Sequence, residues 1–298
     1  MGGEDASPLG PGLYVVATPI GNLGDMTLRA LDVLRGVDRI ACEDTRQTQK
    51  LLNHFQIKTP TVSCHEHNER ECAQGLVGAL KAGARIALVT DAGTPAISDP
   101  GAVVVREAIA AGVRVTPVPG ANAAVTALAA AGMGTGEFRF LGFLPEKAGA
   151  RRTRLEELAG GCGAEAETLV FYEAPHRILE TLGDLEGVWG AELRVVVARE
   201  LTKVHEEFLR GTVAEVRREL AGRDRVRGEM VLLVETRARA VAGDEGAGVA
   251  ERVARVQAEA GVDEKEALKR VARELGRSKS EVYRELQRER AARKIGLR

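Results

Sequence analysis

Aromatic side chains are scarce in this sequence: one Trp, three Tyr and six Phe make up 3% of its 298 residues. So few rings exclude an extended platform on which exposed bases stack. Cysteine is equally sparse. Cys42, Cys64, Cys72 and Cys162 show no paired CxxC spacing, which excludes a disulfide framework and points to a reducing cytoplasm. No run approaches the length of a membrane span, and residues 1–11 (MGGEDASPLGP) are too polar for a signal peptide and read as a flexible tail. No GxGxxG follows the first strand and no GxxxxGK[ST] occurs, so neither a nicotinamide or flavin site nor an NTPase is expected. Net charge is nearly absent too, at −1, yet it is unevenly placed. From Val249 to Arg298, 14 Lys and Arg stand against 9 Asp and Glu, giving a tail of +5 on a body of −6. A basic appendage on an acidic body suits a polyanionic partner or, equally, a solvated helical surface.

What is present is organised around residues 87–101, ALVTDAGTPAISDPG. An apolar strand over 86–89 breaks into a loop holding Gly93, Pro95, Pro100 and Gly101 and presenting Asp91, Thr94, Ser98 and Asp99. A polar loop at the carboxyl end of a buried strand is where open α/β sheets bind ligands. ATPIGNLGD (17–25) and VPGANAA (118–124) repeat the pattern after two other strands. Parallel strands end at one sheet edge, so the three loops are expected to converge on one crevice.

The chain divides by rhythm. Over 12–136, apolar strands at 13–18, 39–43, 61–64, 85–90 and 113–118 alternate with helices at 27–34, 45–54, 66–82, 102–111 and 121–131. This predicts an α/β domain with a mostly parallel sheet covered on both faces. The last helix is almost all small residues, suited to close packing on the sheet. A second α/β domain over 137–236 has strands at 138–143, 168–172, 193–199, 207–211 and 230–235 and helices at 151–158, 175–185 and 213–220. Short connections among its last strands predict antiparallel pairs and a mixed sheet. Residues 237–248 (RARAVAGDEGAG) are a linker by composition. The tail, 249–298, is all helical: Asp263 with Glu266 and Ser278 with Glu281 form capping boxes, and Gly276 stops the helix between them. A helix, a turn and a second helix opening with Arg277, Ser278, Lys279 and Ser280 has a helix-turn-helix shape able to contact phosphates; a plain helical hairpin or a dimerisation element fits as well.

In chain order the sequence carries LYVVATPIGNLGDMTLRALDVL, ACEDTR, HEHNE, VTDAGTPAISDPG, VPGANA, FLGFLP, YEAPHR, ARELTKVHEE and GEMVLLVE. These motifs resemble the bacterial small-subunit ribosomal RNA methyltransferase I family, of the tetrapyrrole (corrin/porphyrin) methylase superfamily. The resemblance runs from Leu13 to about Glu235 and extends more weakly into the tail. It implies a tetrapyrrole-methylase-like two-domain fold, S-adenosylmethionine held in a cleft between the domains, and a homodimer. It also implies 2′-O-methylation of a cytidine in the P-site region of 16S rRNA; the nearly neutral charge suits an assembled subunit as substrate rather than free RNA. Carried over by motif, the cofactor positions are Pro19, Ile20, Gly93, Thr94, Pro95, Ile97, Ser98, Asn122 and Ala123, with Tyr172, Glu173, Ala198 and Met230 from the second domain. The competing readings are a tetrapyrrole or diphthine methylase of the same fold, and a non-catalytic RNA-binding assembly factor acting through the tail.

Methyl transfer from a sulfonium asks mainly for positioning. The ribose hydroxyl, a weak acid, is helped by a base. Candidate bases stand at strand ends: Glu43 and Asp44, then His65 beside Glu66 and His67, then Glu173 beside His176 and Arg177. For Glu43 and Asp44 the alternative is helix capping with an Arg46 salt bridge. For Cys64, His65 and His67 the alternatives are a metal site, RNA contact and a structural role, and methyl transfer needs no metal. Arg46, His67, Lys147, Arg151, Arg152 and Arg177 are candidates for the RNA backbone, joined by Arg277 and Lys279 in the tail. Arg151, Arg152 and Arg154 read equally as a solvated helix face. With few aromatics, a single flipped-out nucleotide is the expected substrate geometry.

Overall fold

The computed structural model describes residues 9–65, 68–161, 166–236, 248–275 and 277–295. The first half runs β1 (Gly12–Val16), α1 (Leu28–Gly36), β2 (Arg39–Cys42), α2 (Thr45–His54), β3 (Thr61–Ser63), α3 (Glu69–Lys81), β4 (Arg85–Leu88), α4 (Ala102–Ala110), β5 (Val115–Val118) and α5 (Ala123–Ala131). Its sheet is wholly parallel, in the order β3-β2-β4-β1-β5. β1 lies between β4 and β5, with Leu13 opposite both Ile86 and Val115. Both faces are buried: Leu13, Ile86 and Leu88 pack with Leu76, Leu80 and Val104, while Val16, Ile40 and Val89 pack with Val33, Leu34 and Leu52. Each such side chain contributes about 1.5–3 kcal/mol by leaving water. The helices start where the sequence supplies a cap. The side chains of Thr27, Asp44 and Asn122 accept the backbone N–H of Ala30, Arg46 and Val125.

The second half runs β6 (Phe138–Phe143), α6 (Ala148–Gly160), β7 (Thr168–Glu173), α7 (Ile178–Trp189), β8 (Arg194–Arg199), β9 (Glu207–Thr212), α8 (Val213–Ala221) and β10 (Met230–Glu235). The sheet order is β6-β7-β10-β8-β9, with β6 parallel to β7 and every other pair antiparallel. This is the mixed sheet expected. Helices α6, α7 and α8 cover one face, through Leu155, Leu182 and Val216. The other face is covered by α5: Ala124, Ala127, Leu128 and Ala131 pack on Val170, Val196, Val231 and Leu233. The small-residue helix therefore sits on the second sheet and couples the two. Both sheets belong to one compact unit ending at Thr236, and the helices from Val249 belong to another.

Several boundaries differ from the sequence reading for local reasons. β1 stops at Val16 because Thr18 leaves the sheet to bridge Gly93. The helix expected from 175 begins at Ile178, since Pro175–Arg177 form a turn, and it continues to Trp189. Glu66 and His67, Gly276 and residues 237–247 of the linker lie outside the described residues.

The tail is a three-helix unit: α9 (Val249–Ala260), α10 (Glu264–Glu274) and α11 (Lys279–Ile295). Val253, Leu268, Val271, Val282 and Leu286 form its core. Glu289 of α11 accepts the N–H groups of Val249 and Ala250 at 2.9 and 2.7 Å, satisfying the open start of α9. The Ser278–Glu281 capping box is present, with both backbone bonds made.

Candidate active site

Three loops meet beyond the carboxyl ends of β1, β4 and β5. Thr18 and Gly93 exchange backbone hydrogen bonds of 2.9 and 3.0 Å, and the Thr18 hydroxyl donates to the Thr90 carbonyl at 3.0 Å. The Thr94 hydroxyl donates to the Ala121 carbonyl at 3.1 Å and accepts the Asn122 amide at 3.3 Å. The loops are thus stitched into one surface, as their shared sheet edge requires. The central loop is bent hard. Ala96 and Ser98 hold φ of 68° and 61°, a left-handed backbone that costs a side-chain-bearing residue of order 1–3 kcal/mol and concentrates at functional sites. At Gly101 (φ 126°) a Cβ would lie 2.9 Å from Leu88, so only glycine fits. Glu69 fixes the loop's end by accepting the N–H groups of Gly101 and Val103 at 2.8 and 3.0 Å.

This surface walls a cavity of about 400 Å³ whose opposite side is the second sheet. Ile20, Gly93, Thr94, Ile97, Ser98 and Ala123 line it from the first half, and Tyr172, Glu173, Ala198 and Met230 from the second. Of the other positions implied by resemblance, Pro19 lines an adjoining cavity, Pro95 is buried within the loop, and Asn122 acts through its bond to Thr94. The cavity lining contains no Lys, Arg or His, but it includes Asp91 and Asp99. Burial pushes the Asp99 carboxyl up and Asp91 adds to this, against a hydrogen bond from Thr90. Burial likewise raises Glu43, reinforced by Asp91 and Asp99 and opposed by His65. A carboxyl held above its ordinary range is a stronger base than a free one.

Two of the other candidate bases, Asp44 and Glu173, are otherwise engaged. Asp44 caps α2 and grips Arg46 at 2.9 Å, which holds its carboxyl below the usual range. Its role is the capping alternative. Glu173 is corrected as a base. It is buried, ion-paired to Arg177 at 3.1 Å, and accepts the Thr181 hydroxyl at 2.6 Å and the Ala174 N–H at 2.8 Å. These three partners occupy most of the carboxylate's acceptor positions and hold it in place. The His65 backbone N–H is held by the Asn68 side chain at 2.8 Å. Among the described residues no three His, Cys, Asp or Glu side chains gather to hold a metal ion.

Two of the proposed phosphate contacts are also corrected. Arg151 is only 1% exposed, and its guanidinium is committed to Asp184 at 2.7 Å and Glu180 at 3.1 Å. Arg177 faces inward onto Glu173 and the Leu144 carbonyl. Arg46, 88% exposed beyond its bond to Asp44, and Lys147 at the start of α6 remain available to a polyanion. In the tail Arg277 pairs with Glu285, while Lys279 is exposed. His67 lies outside the described residues. Sequence reasoning placed Asp91 and Asp99 in the loop without assigning them; their position in the same motif as Gly93 and Thr94 was the available signal. Phe143, Leu201 and Glu229 also line the cavity; they stand in the FLGFLP, ARELTKVHEE and GEMVLLVE motifs but were not singled out as site residues.

Residues 12–217 match the family of tetrapyrrole (corrin/porphyrin) methylases. Ribosomal RNA small subunit methyltransferase I of Haemophilus influenzae is 50% identical over 234 residues, covering 78% of this chain and 81% of that protein. The protein of the same name from Vibrio cholerae is 54% identical, covering 75% and 77%, and that of Bacillus subtilis is 50% identical, covering 75% and 74%. Among solved structures, a uroporphyrin-III C-methyltransferase of Thermus thermophilus complexed with S-adenyl homocysteine superposes with a TM-score of 0.53 at 18% identity, covering 75% of this chain and 96% of that one. A diphthine synthase does so with 0.54 at 15%, covering 75% and 89%. At such identities the structural likeness speaks for the fold.

Proposed function

The chain belongs to the ribosomal RNA small subunit methyltransferase I branch of the tetrapyrrole (corrin/porphyrin) methylases, and we propose that it methylates the 2′-hydroxyl of a cytidine in small-subunit rRNA from S-adenosylmethionine. The observation that carries the reading is the cavity walled jointly by the three loops and the second sheet. Its donor set fits the cofactor: apolar and backbone groups predominate, acids are present, and no side chain in the lining repels a sulfonium cation. At Gly93 (φ 91°) a Cβ would stand 3.4 Å from Ile20, within the cradle itself. About 50% identity to rRNA enzymes, against 15–18% to methylases of other names, favours RNA over a small-molecule acceptor.

Bound there, the cofactor would supply an electrophilic methyl group carried on a sulfonium. Gly93, Thr94, Ile97 and Ser98 would hold it from one side and Tyr172, Ala198 and Met230 from the other. Asn122 fixes Thr94, and the walls exclude water from the donor. We assign Asp99, in the lining and raised by burial, to take the proton from the ribose hydroxyl, with Asp91 sustaining its basicity. Positioning donor and acceptor supplies most of the acceleration. The domain limits 12–136 and 137–236, a homodimer in the cytoplasm and action on the assembled subunit's P-site region complete the proposal. The domain limits rest on the rhythm of the sequence, the cytoplasm on the sparse cysteines, the homodimer and the P-site region on the family resemblance, and the assembled subunit on the nearly neutral charge.

The test is transfer of labelled methyl to small subunits that lack this modification, followed by nuclease digestion and mass analysis. Label on a cytidine ribose is expected. Label on a base, or none despite cofactor binding, overturns the assignment.

A further inference from the structure

The connection from α8 to β10 builds a second feature, a groove of about 570 Å³ lined by the 223–228 segment together with Pro175, His176 and Leu179. Three arginines and one histidine face a single acid, Asp224, there. Arg223 braces the groove: it pairs with Glu207 at 2.5 Å and with Glu219 at 3.3 Å. Glu207 also holds Arg199, and Arg199 donates to the Arg227 carbonyl at 3.0 Å. Both ends of the connection are therefore tied down. Between them Arg225 and Arg227 are exposed, and among the described residues neither guanidinium forms an ion pair or hydrogen bond. Arg225 and Arg227 are thus two exposed, unpaired cations two positions apart on a braced loop.

The groove adjoins the cavity. Pro175 lines both, and the chain passes from Arg227 through Gly228 directly into Glu229 and Met230 of the cavity wall. Gly228 makes that junction with φ of 91° and lies tight against Glu200, whose carboxylate accepts the Glu229 N–H at 3.1 Å. Resting on the rRNA reading, we infer that Arg225, Arg227 and His176 bind phosphates of the single strand flanking the acceptor nucleotide. A nucleotide drawn into the cavity leaves its neighbours' phosphates outside the mouth. Guanidinium groups are matched to phosphate geometry and gain most where no carboxylate competes. The groove is then the positive exit track of a cavity whose own lining is acidic.

The test compares wild-type chain with R225E/R227E and with R225K/R227K, using a fluorescein-labelled single-stranded RNA of mixed sequence and unmodified small subunits. The charge reversal is expected to lower RNA affinity at least about tenfold. It should also flatten the salt dependence of log affinity by about 1.4, from about 0.7 per phosphate contact on a single strand. KM for subunits should rise with kcat, cofactor affinity and the urea midpoint unchanged, and the lysine pair should restore most of the affinity. Equal RNA affinity and salt slope in wild type and R225E/R227E overturn the inference. Failure of wild type to methylate any subunit overturns instead the functional reading, and the binding measurements still decide the groove.

Discussion

Two loops confront each other across the cavity, and their charged residues do opposite work. The loop after β7 carries Glu173 and Arg177, buried together and saturated by Thr181 and a backbone N–H. The loop after β4 carries Asp91 and Asp99, gathered near Glu43 with no cation among the cavity-lining residues. In the first, mutual satisfaction fixes a turn. In the second, incomplete satisfaction and a bent backbone keep basicity in reserve. A carboxylate at a strand's end is thus identified as structural or chemical by how many of its lone pairs are already taken, not by its motif.

The largest difference between the loops should be in stability. Glu173→Ala leaves Arg177 buried without its counter-charge, a loss of about 3–5 kcal/mol in urea unfolding. Glu173→Gln, which can still accept from Thr181, should lose less. A Glu173→Ala chain of wild-type stability that no longer transfers methyl would instead make Glu173 a base.

Asp99→Asn should do the reverse, slowing methyl transfer by about 10²–10⁴-fold while leaving cofactor binding and folding intact. Retention of the wild-type rate would remove Asp99 from the chemistry. Its pH signature has a definite sign. Burial and Asp91 raise the folded carboxyl above its unfolded value, so the folded state binds the proton more tightly. This group therefore makes stability fall as pH rises from about 4 to the raised value. Urea midpoints across that window should show the fall in wild type and a shallower one in Asp99→Asn. The rate of methyl transfer should climb through the same raised value as the base ionises.

The smallest effect belongs to Asp44, whose carboxylate caps α2. Asp44→Ala should lower the urea midpoint slightly and leave kcat unchanged. A large fall in kcat at wild-type stability would return it to the list of bases.

The legibility of these features follows their range in sequence. β4 was readable because Ile86, Ala87 and Leu88 are buried in unbroken succession, and the caps at Asp44 and Ser278 because their partners lie within a turn. The cavity lining was readable from the long motifs that carry the resemblance, not from periodicity. Arg151 was misread because its partners, Glu180 and Asp184, stand on α7, a separation no local pattern reveals. The same holds for Glu69, which caps α4 from thirty-odd positions away. Helix α5 announced close packing through its alanines, but small residues fit either sheet, and its sheet was decided by tertiary contact.

The most direct measurement is a calorimetric titration of S-adenosylmethionine into the wild-type chain and into Thr94→Arg. The substitution places a cation and extra bulk in the cavity wall and removes the Thr94 bond to Ala121. One site per wild-type chain and no detectable binding to a folded Thr94→Arg chain is the result expected. Undiminished binding to that variant would contradict the account, because the cofactor would then lie outside the cavity between the two sheets.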